Sequence, residues 1–356
     1  MPAIQNTLTG THDISSLLAV KNQSVKEFGM DTIVETLQAD MEVHNAIVMD
    51  MVDGLCEITT DQLRIYGSSS EGEMVEVDEF GRSATQTTQG GVTVGFPLRQ
   101  FQYAIGWTDK WMAVKTPEDM AKAQIGAQDA HKRRIIRDIK TALYLSGNYT
   151  FNDFLVDKVD IAVKRLLNAD GAKIPNGPNG EPYDGSTHSH YNFAASLTAA
   201  ALTASVNDVI EHGYGNRVAL AIDIADETAV KALTGFVPYA DPRIVYRNTD
   251  TPGQTLDITR LNNRAIGLFG AAEVWVKPWA IASYPFAWDM GSPRKPLAFR
   301  QRAQTTLQGL RIAATNATFP LYAQYMEAEY GIGVWTRNNG AVLYTGSGSA
   351  YADPAL

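Results

Sequence analysis

The sequence predicts an α+β fold built around one exceptionally long helix, and three observations lead there. A capped helical stretch runs from Pro117 to about Leu145. The segment from Pro296 onward reads as strands without a helix of their own. Between them, from Ala195 to Trp288, short strands and helices alternate as in a compact α/β unit.

Residues 1–22 are polar and rich in Thr, Ser and Asn, the composition of an arm rather than of a core element. From Ser24 to about Ala39 the apolar residues Val25, Phe28, Ile33, Val34 and Leu37 recur at helical spacing, with Gly29 weakening a continuous helix. The Met-rich stretch Ala46–Cys56 is expected to be buried. Residues 66–106 have another character. An acidic segment, Glu71, Glu73, Glu76, Asp78 and Glu79, alternates with Met74, Val75 and Val77. Gly81, Gly90 and Gly91 bracket a Thr/Gln-rich stretch, and Val92, Val94 and Phe96 resume the alternation. The pattern reads as a long β-hairpin with too few large apolar residues to form a core, so it needs another surface to lie on.

The helix start at Thr116-Pro117-Glu118-Asp119 is explicit: Thr as N-cap, Pro at the first helical position, acids where the helix dipole favours them. Ser146-Gly147 supplies the stop. About 29 residues at 1.5 Å each make a spine of roughly 43 Å. Met120, Ala123, Ala127, Ile135, Ile139, Ala142 and Leu143 form its apolar face, and His131, Lys132, Arg133, Arg134, Arg137 and Lys140 fill much of the remainder. Residues 168–192 are loop, an Ala-rich helix is expected over Ala195–His212, and the returning strands are Ala298–Arg302, Thr306–Ala313, Tyr322–Glu329, Gly331–Arg337 and Ala341–Tyr344. That sheet needs cover, and the spine helix is the obvious partner.

The 356 residues carry a formal net charge of −9 and 45% hydrophobic residues, an ordinary globular balance without the basic tail that tight nucleic-acid binding requires. Cys56, alone, excludes an internal disulfide and any Cys-based zinc framework. No secretory leader or membrane-spanning apolar run is evident.

Motifs for chemistry are sparse. His188-x-His190, with Asp184 nearby, places two imidazoles on one face of an extended segment, where they could bind a divalent metal. A third strong ligand is not evident and a structural zinc site wants four, so a hydrogen-bonded loop or a subunit contact is the favoured reading, and no metal or cofactor is assigned. The acids from Glu71 to Glu79 read as solvated edge-strand charges that oppose misplaced β pairing rather than as catalytic carboxylates. The basic face of the spine reads as salt-bridging within or between subunits more than as a DNA contact. Gly213-Tyr214-Gly215 matches a fragment of a dinucleotide loop and is more simply a turn; no phosphate-binding, nucleophile-elbow or metalloprotease motif exists. No catalytic residue is assigned.

The order of parts resembles the tailed-bacteriophage major capsid fold, which is shared with encapsulin nanocompartments. Three stretches are similar to that family in wording: Phe96-Pro97-Leu98 leading to Gly106-Trp107-Thr108; Leu167-Asn168-Ala169-Asp170-Gly171 followed by Thr187-His188-Ser189-His190-Tyr191; and Tyr330-Gly331-Ile332-Gly333-Val334-Trp335 with Arg337. The resemblance implies an N-terminal arm (1–60), an E-loop hairpin (61–108), a P-domain (109–160) with the spine helix (117–145), an A-domain (161–292), and P-domain return strands with the C-terminal tail (293–356). It implies a non-enzymatic subunit that assembles with itself into hexamers and pentamers of an icosahedral phage head around double-stranded DNA, made in the host cytoplasm and ending in the virion. Scaffolding, portal and decoration proteins are the expected partners, DNA contact is weak and non-specific, and no membrane is involved. An encapsulin-like shell is the alternative, and a metal-dependent enzyme using His188 and His190 the remote one. Glu71, Glu73, Glu76, Asp78 and Glu79 are expected to lie over Arg133, Arg134, Arg137 and Lys140 of a neighbouring subunit. Some relatives weld subunits through an E-loop lysine. This chain has no lysine between Lys26 and Lys110, so no such bond is expected.

Overall fold

The computed structural model describes residues 14–20, 22–67, 74–86, 90–239 and 263–356. Its centre is a sheet organised by one fourteen-residue strand, Leu321–Val334. One side of that strand pairs with Arg99–Thr108 over its whole length, in register from Tyr330↔Arg99 to Leu321↔Thr108. The other side is shared by Leu310–Thr318 and Leu297–Gln301, and Cys56–Thr59 adds a parallel edge beyond the latter. Gly331 lies inside this strand, so the expected strands Tyr322–Glu329 and Gly331–Arg337 are largely one element.

The spine helix occupies Pro117–Tyr144, with Thr116 as N-cap and the Asp119 carboxylate reaching back to the Thr116 N–H at 3.4 Å. Its apolar face covers the sheet as expected. Ile135, Ile139, Ala142 and Leu143 join one core with Phe299, Met326, Tyr330 and Val334. Tyr330 donates to Asp138 at 3.1 Å, which ties spine to sheet across the sequence. A second long helix, Met30–Asp53, packs on the spine and on Leu310–Thr318. It is entered through Val25–Phe28 and Gly29, whose φ of +100° is easy only for glycine. The apolar Ala46–Cys56 stretch is therefore mostly the end of this helix, with Val48 and Val52 buried but Ile47 exposed.

A second sheet of seven strands has the order Tyr191–Ala194, Ala341–Thr345, Phe286–Asp289, Val218–Ile222, Ala272–Val276, Arg264–Phe269, Phe236–Pro238. Val218–Ile222 is central and buried throughout, hence its unbroken apolar run. Leu220, Ile222, Ala287 and Leu343 face the helix Ala199–Ile210, while Ala219, Ala221, Phe286 and Val342 face the spine core. The strand Ala341–Thr345, expected with the other returning strands, belongs to this sheet, where it pairs with Phe286–Ala287 and Tyr191–Ala194. The alternating strands read from the sequence between Ala195 and Trp288 include Arg243–Tyr246, which lies outside the described residues.

The hairpin differs most from expectation. Among the described residues of the hairpin, pairing between its two arms is confined to Leu63–Tyr66 with Val92–Gly95. Residues 74–86 form no strand, and 99–108 belong to the central sheet. Arg99–Thr108, which the expected hairpin included up to residue 106, instead has its partner more than 200 residues away in sequence. The paired base rests on a second small hairpin, Tyr149–Asn152 with Asp160–Val163, where Gly95 lets the backbone approach Ile161.

Candidate functional site

Parts of the three stretches that carry the family resemblance, dispersed over 240 residues of sequence, meet in space, while Gly106-Trp107-Thr108 lies further along the central strand, opposite Leu321–Ala323. Gly331 and Gly333 lie directly beneath Phe96-Pro97, so closely that a Cβ on Gly331 would reach the Pro97 carbonyl. Trp335 packs edge-on to Phe96, and the Arg64 guanidinium lies 4.9 Å from the Trp335 ring centre. Arg337 is fully buried and holds the second stretch. It donates to the Arg165 carbonyl at 2.6 Å and to the Asn168 side chain at 2.9 Å, and pairs with Asp170 at 3.1 Å. Burial pulls the Asp170 carboxyl upward, but hydrogen bonding from Lys164 and the charge of Arg337 overcome this and hold it at about 2. The arginine is thus an internal staple between the loop after the spine and the end of the central strand. A second buried pair, Arg300 with Asp153 at 2.8 Å, fastens the small hairpin to the sheet.

The staple positions the segment that carries the paired histidines. The His190 N–H donates to the Leu167 carbonyl at 2.8 Å, and the Val342 N–H donates to the His190 carbonyl at 2.8 Å. Thr187 and His188 donate their N–H groups to the Asp184 carbonyl at 3.1 and 2.9 Å. The Asp184 carboxylate is spent on the same turn, accepting from Ser186 N–H and Thr187 hydroxyl. Asp184 is therefore a turn-former and not part of a ligand set. The missing third and fourth donors come from the end of the helix Ala199–Ile210. His188, His190, His212 and Glu211 converge, with their donor atoms all within 4.8 Å of one another. The His188 Nε2 lies 3.1 Å from that of His190 and 3.0 Å from that of His212, and the last two are 3.1 Å apart. Glu211 Oε1 is 3.3 Å from His188 Nε2 and 3.8 Å from His212 Nε2. Burial lowers all three imidazoles below their ordinary range, His212 to about 3, which keeps them neutral near pH 7. His212 lies 22 residues beyond His190, and only the packing of the helix end against the loop brings it in.

The Gly213-Tyr214-Gly215 stretch is a turn. The amides of Gly215, Asn216 and Arg217 donate to the Asp289 carboxylate at 3.0–3.1 Å, which uses the donors a phosphate would need.

Of the charges expected at subunit contacts, Glu71 and Glu73 lie outside the described residues. Glu76, Asp78 and Glu79 are exposed, as are Arg133 and Arg137. Arg134 is engaged within the chain, paired with Asp138 at 2.9 Å and stacked over Phe101. Lys140 is half-buried. His131, counted with the basic face, instead turns inward and meets His44 at 3.0 Å between the two long helices. Sequence reasoning missed this pair because neither histidine carries a local signal. Among the described residues no helix is long and apolar enough to cross a membrane.

No family profile matches the sequence, and no curated protein matches it. Solved structures do. A chain from Mycobacterium phage Patience aligns over 97% of this chain and 95% of its own, with 20% identity and a TM-score of 0.68. The capsid of a native GTA particle aligns over 83% of this chain and 90% of its own, at 15% identity and a TM-score of 0.47. The SrpI encapsulin of Synechococcus elongatus aligns over 86% of this chain and 90% of its own, at 10% identity and a TM-score of 0.42. The near-complete alignment with the Patience chain shows that this polypeptide, with its paired hairpin base, spine helix, seven-stranded sheet and returning central strand, has the fold of that phage chain, in keeping with the fold expected from the sequence.

Proposed function

We propose that the chain is a major capsid protein, a self-assembling subunit of an icosahedral phage head that encloses double-stranded DNA. The observation that carries the reading is the segment beyond the paired hairpin base. Met74 and Phe80 are almost fully exposed, at 103% and 91%, and Val75 and Val77 are more than half exposed or close to it. Residues 74–86 form no strand or helix to shelter them. Apolar side chains held out on an extended strap gain free energy only when another surface covers them, at about 25 cal/mol per Å² removed from water. A neighbouring copy of the same chain is the surface a shell provides. The exposed acids on the strap and the exposed Arg133 and Arg137 on the spine are the charges that would guide the two together. Each exposed pair contributes only about 0–1 kcal/mol, but a shell repeats the contact many times.

Negative-stain microscopy of the purified chain, alone and co-expressed with the neighbouring genes of its source, tests the reading. Closed shells are expected; monodisperse monomers under every condition would refute it. Nucleic-acid content of those shells separates a DNA-filled head from an encapsulin-like compartment, which would instead co-purify with a protein cargo.

A further inference from the structure

We propose that His188, His190 and His212, with Glu211, form a binding site for one Zn²⁺ ion that clamps the loop 168–190 to the end of the helix Ala199–Ile210. The case rests first on what three converging imidazoles can do without a cation. Each neutral ring presents at Nε2 either a hydrogen or a lone pair. With three mutually adjacent Nε2 atoms, at least two must be alike, and two like groups cannot hydrogen-bond. The separations of 3.0–3.1 Å therefore force a repulsive pair in any neutral metal-free arrangement. A divalent cation removes the conflict, because all three lone pairs then point at one positive centre.

The surroundings already select that arrangement for His190. Its Nδ1 lies 2.7 Å from the Gly340 carbonyl, which can only accept, so Nδ1 carries the proton and Nε2 keeps its lone pair for the cluster. A backbone carbonyl on the distal nitrogen is the usual support of a metal-bound histidine. The separations fit as well. Ligands held at about 2.0–2.2 Å from a tetrahedral zinc ion lie about 3.3–3.6 Å from one another. The three Nε2 atoms fall just inside that spacing, and Glu211 Oε1, 3.3 Å from His188 Nε2 and 3.8 Å from His212 Nε2, reaches the fourth corner with a small movement of its side chain. Three imidazoles and one carboxylate form a borderline donor set that suits zinc over calcium or magnesium. The C-terminal end of the helix Ala199–Ile210 adds the negative end of its dipole beside the cation.

The architecture explains what the ion would do. His188 and His190 sit on a loop held by backbone hydrogen bonds and the Arg337 staple, and His212 and Glu211 end the helix that covers one face of the seven-stranded sheet. Tyr183 closes the cluster from the loop side, its ring centre 4.3 Å from that of His212 and its hydroxyl donating to the Glu211 carbonyl at 2.7 Å. The side chains of His190 and His212 are fully buried, while His188 and Glu211 retain a path to solvent for the ion. This inference does not depend on assembly and holds for monomer and shell alike.

The test uses the full chain, stripped with a chelator and dialysed into metal-free buffer. Zn²⁺ titration followed by mass-spectrometric metal analysis should give about one tightly held ion per chain. Co²⁺ alone should produce the strong visible absorption of a tetrahedral site, erased by adding Zn²⁺. His188→Gln, at the accessible edge of the cluster, should abolish the cobalt band and the rise in thermal midpoint that Zn²⁺ confers, with an unchanged circular dichroism spectrum. A folded wild-type chain that retains no zinc and develops no cobalt band would overturn the proposal, even if His188→Gln failed to fold. So would wild-type and His188→Gln proteins that bind zinc equally, since the ion would then sit elsewhere.

Discussion

Replacing Gly331 by alanine should separate this fold from any arrangement in which the Phe96-Pro97-Leu98 stretch does not cross the central strand. A Cβ built on Gly331 lies 1.7 Å from the Pro97 carbonyl oxygen and 2.6 Å from its carbon, where real Cβ contacts do not fall below 3.0 Å. The two backbones must part by at least about 1.3 Å, and no side-chain rotation can relieve a clash with main chain. Leu297–Gln301 pairs with the same residues on the strand, from Gln301↔Tyr330 to Leu297↔Val334, so displacement there also disturbs the core beneath Phe299. Overpacking of a core costs 1–3 kcal/mol, and a clash of backbone on backbone belongs at or above the upper end, about 3 kcal/mol. Unfolding entropy of about 2.1 cal/mol/K per residue comes to about 750 cal/mol/K for 356 residues, so the unfolding midpoint falls by about 4 °C. The matched control is Gly106→Ala in the adjacent strand, whose Cβ would meet only the Tyr322 carbonyl at an ordinary 3.7 Å. It should change stability by less than about 1 kcal/mol, in either direction. Thermal unfolding followed by tryptophan fluorescence at one scan rate compares the two. Equal midpoints for Gly331→Ala and Gly106→Ala would refute the close crossing.

Arg337→Met should destabilise the chain by about 2–4 kcal/mol, because it leaves the carbonyls of Arg165 and Leu166 and the Asn168 side chain without their donor, while Asp170 keeps Lys164; denaturant unfolding that shows a loss below about 1 kcal/mol would remove the staple from the account. The His44–His131 pair predicts acid sensitivity. Burial lowers both to about 4, so the folded state binds fewer protons than the unfolded chain between pH 6.5 and 4, and stability is full above that window and falls with pH inside it. Each histidine taken alone removes about 2 kcal/mol at pH 5, and His44→Leu with His131→Phe should flatten the slope relative to wild type; parallel slopes would discount the pair. Reversing Arg133 and Arg137 to Glu should impair shell formation while leaving the subunit folded, and reversing Glu76, Asp78 and Glu79 to Lys should partly restore it; normal assembly of the reversed helix across a range of salt would reduce these charges to solvation. Because no lysine lies between Lys26 and Lys110, mature particles should give one band near 38.8 kDa on denaturing electrophoresis, and a heat-resistant ladder of multimers would contradict this.

The elements legible in the sequence are those whose signals are local. Thr116-Pro117 and the acids after it start the spine because capping and dipole effects act within one turn, and the observed helix begins where they place it. The largely apolar run at Val218–Ile224 reads as a strand, and the structure, which ends it at Ile222, covers it on both faces, where no polar residue could be accommodated. Pairing, in contrast, is a choice among distant partners. The end of the expected hairpin, 99–106, is as compatible in sequence with the acidic arm before it as with Leu321–Tyr330, and burial of Phe101 and Ile105 against the core decides for the latter. The apparent break at Gly331 is a close approach to Pro97 inside one strand, a distinction that exists only once the chain crosses itself. The histidine cluster divides in the same way. His188 and His190 share a face because an extended chain alternates its side chains, so sequence alone finds them. Glu211 and His212 join them only through the seating of a helix end against the Arg337-stapled loop, since the geometry of a four-donor site is set by packing in three dimensions and leaves no trace in spacing.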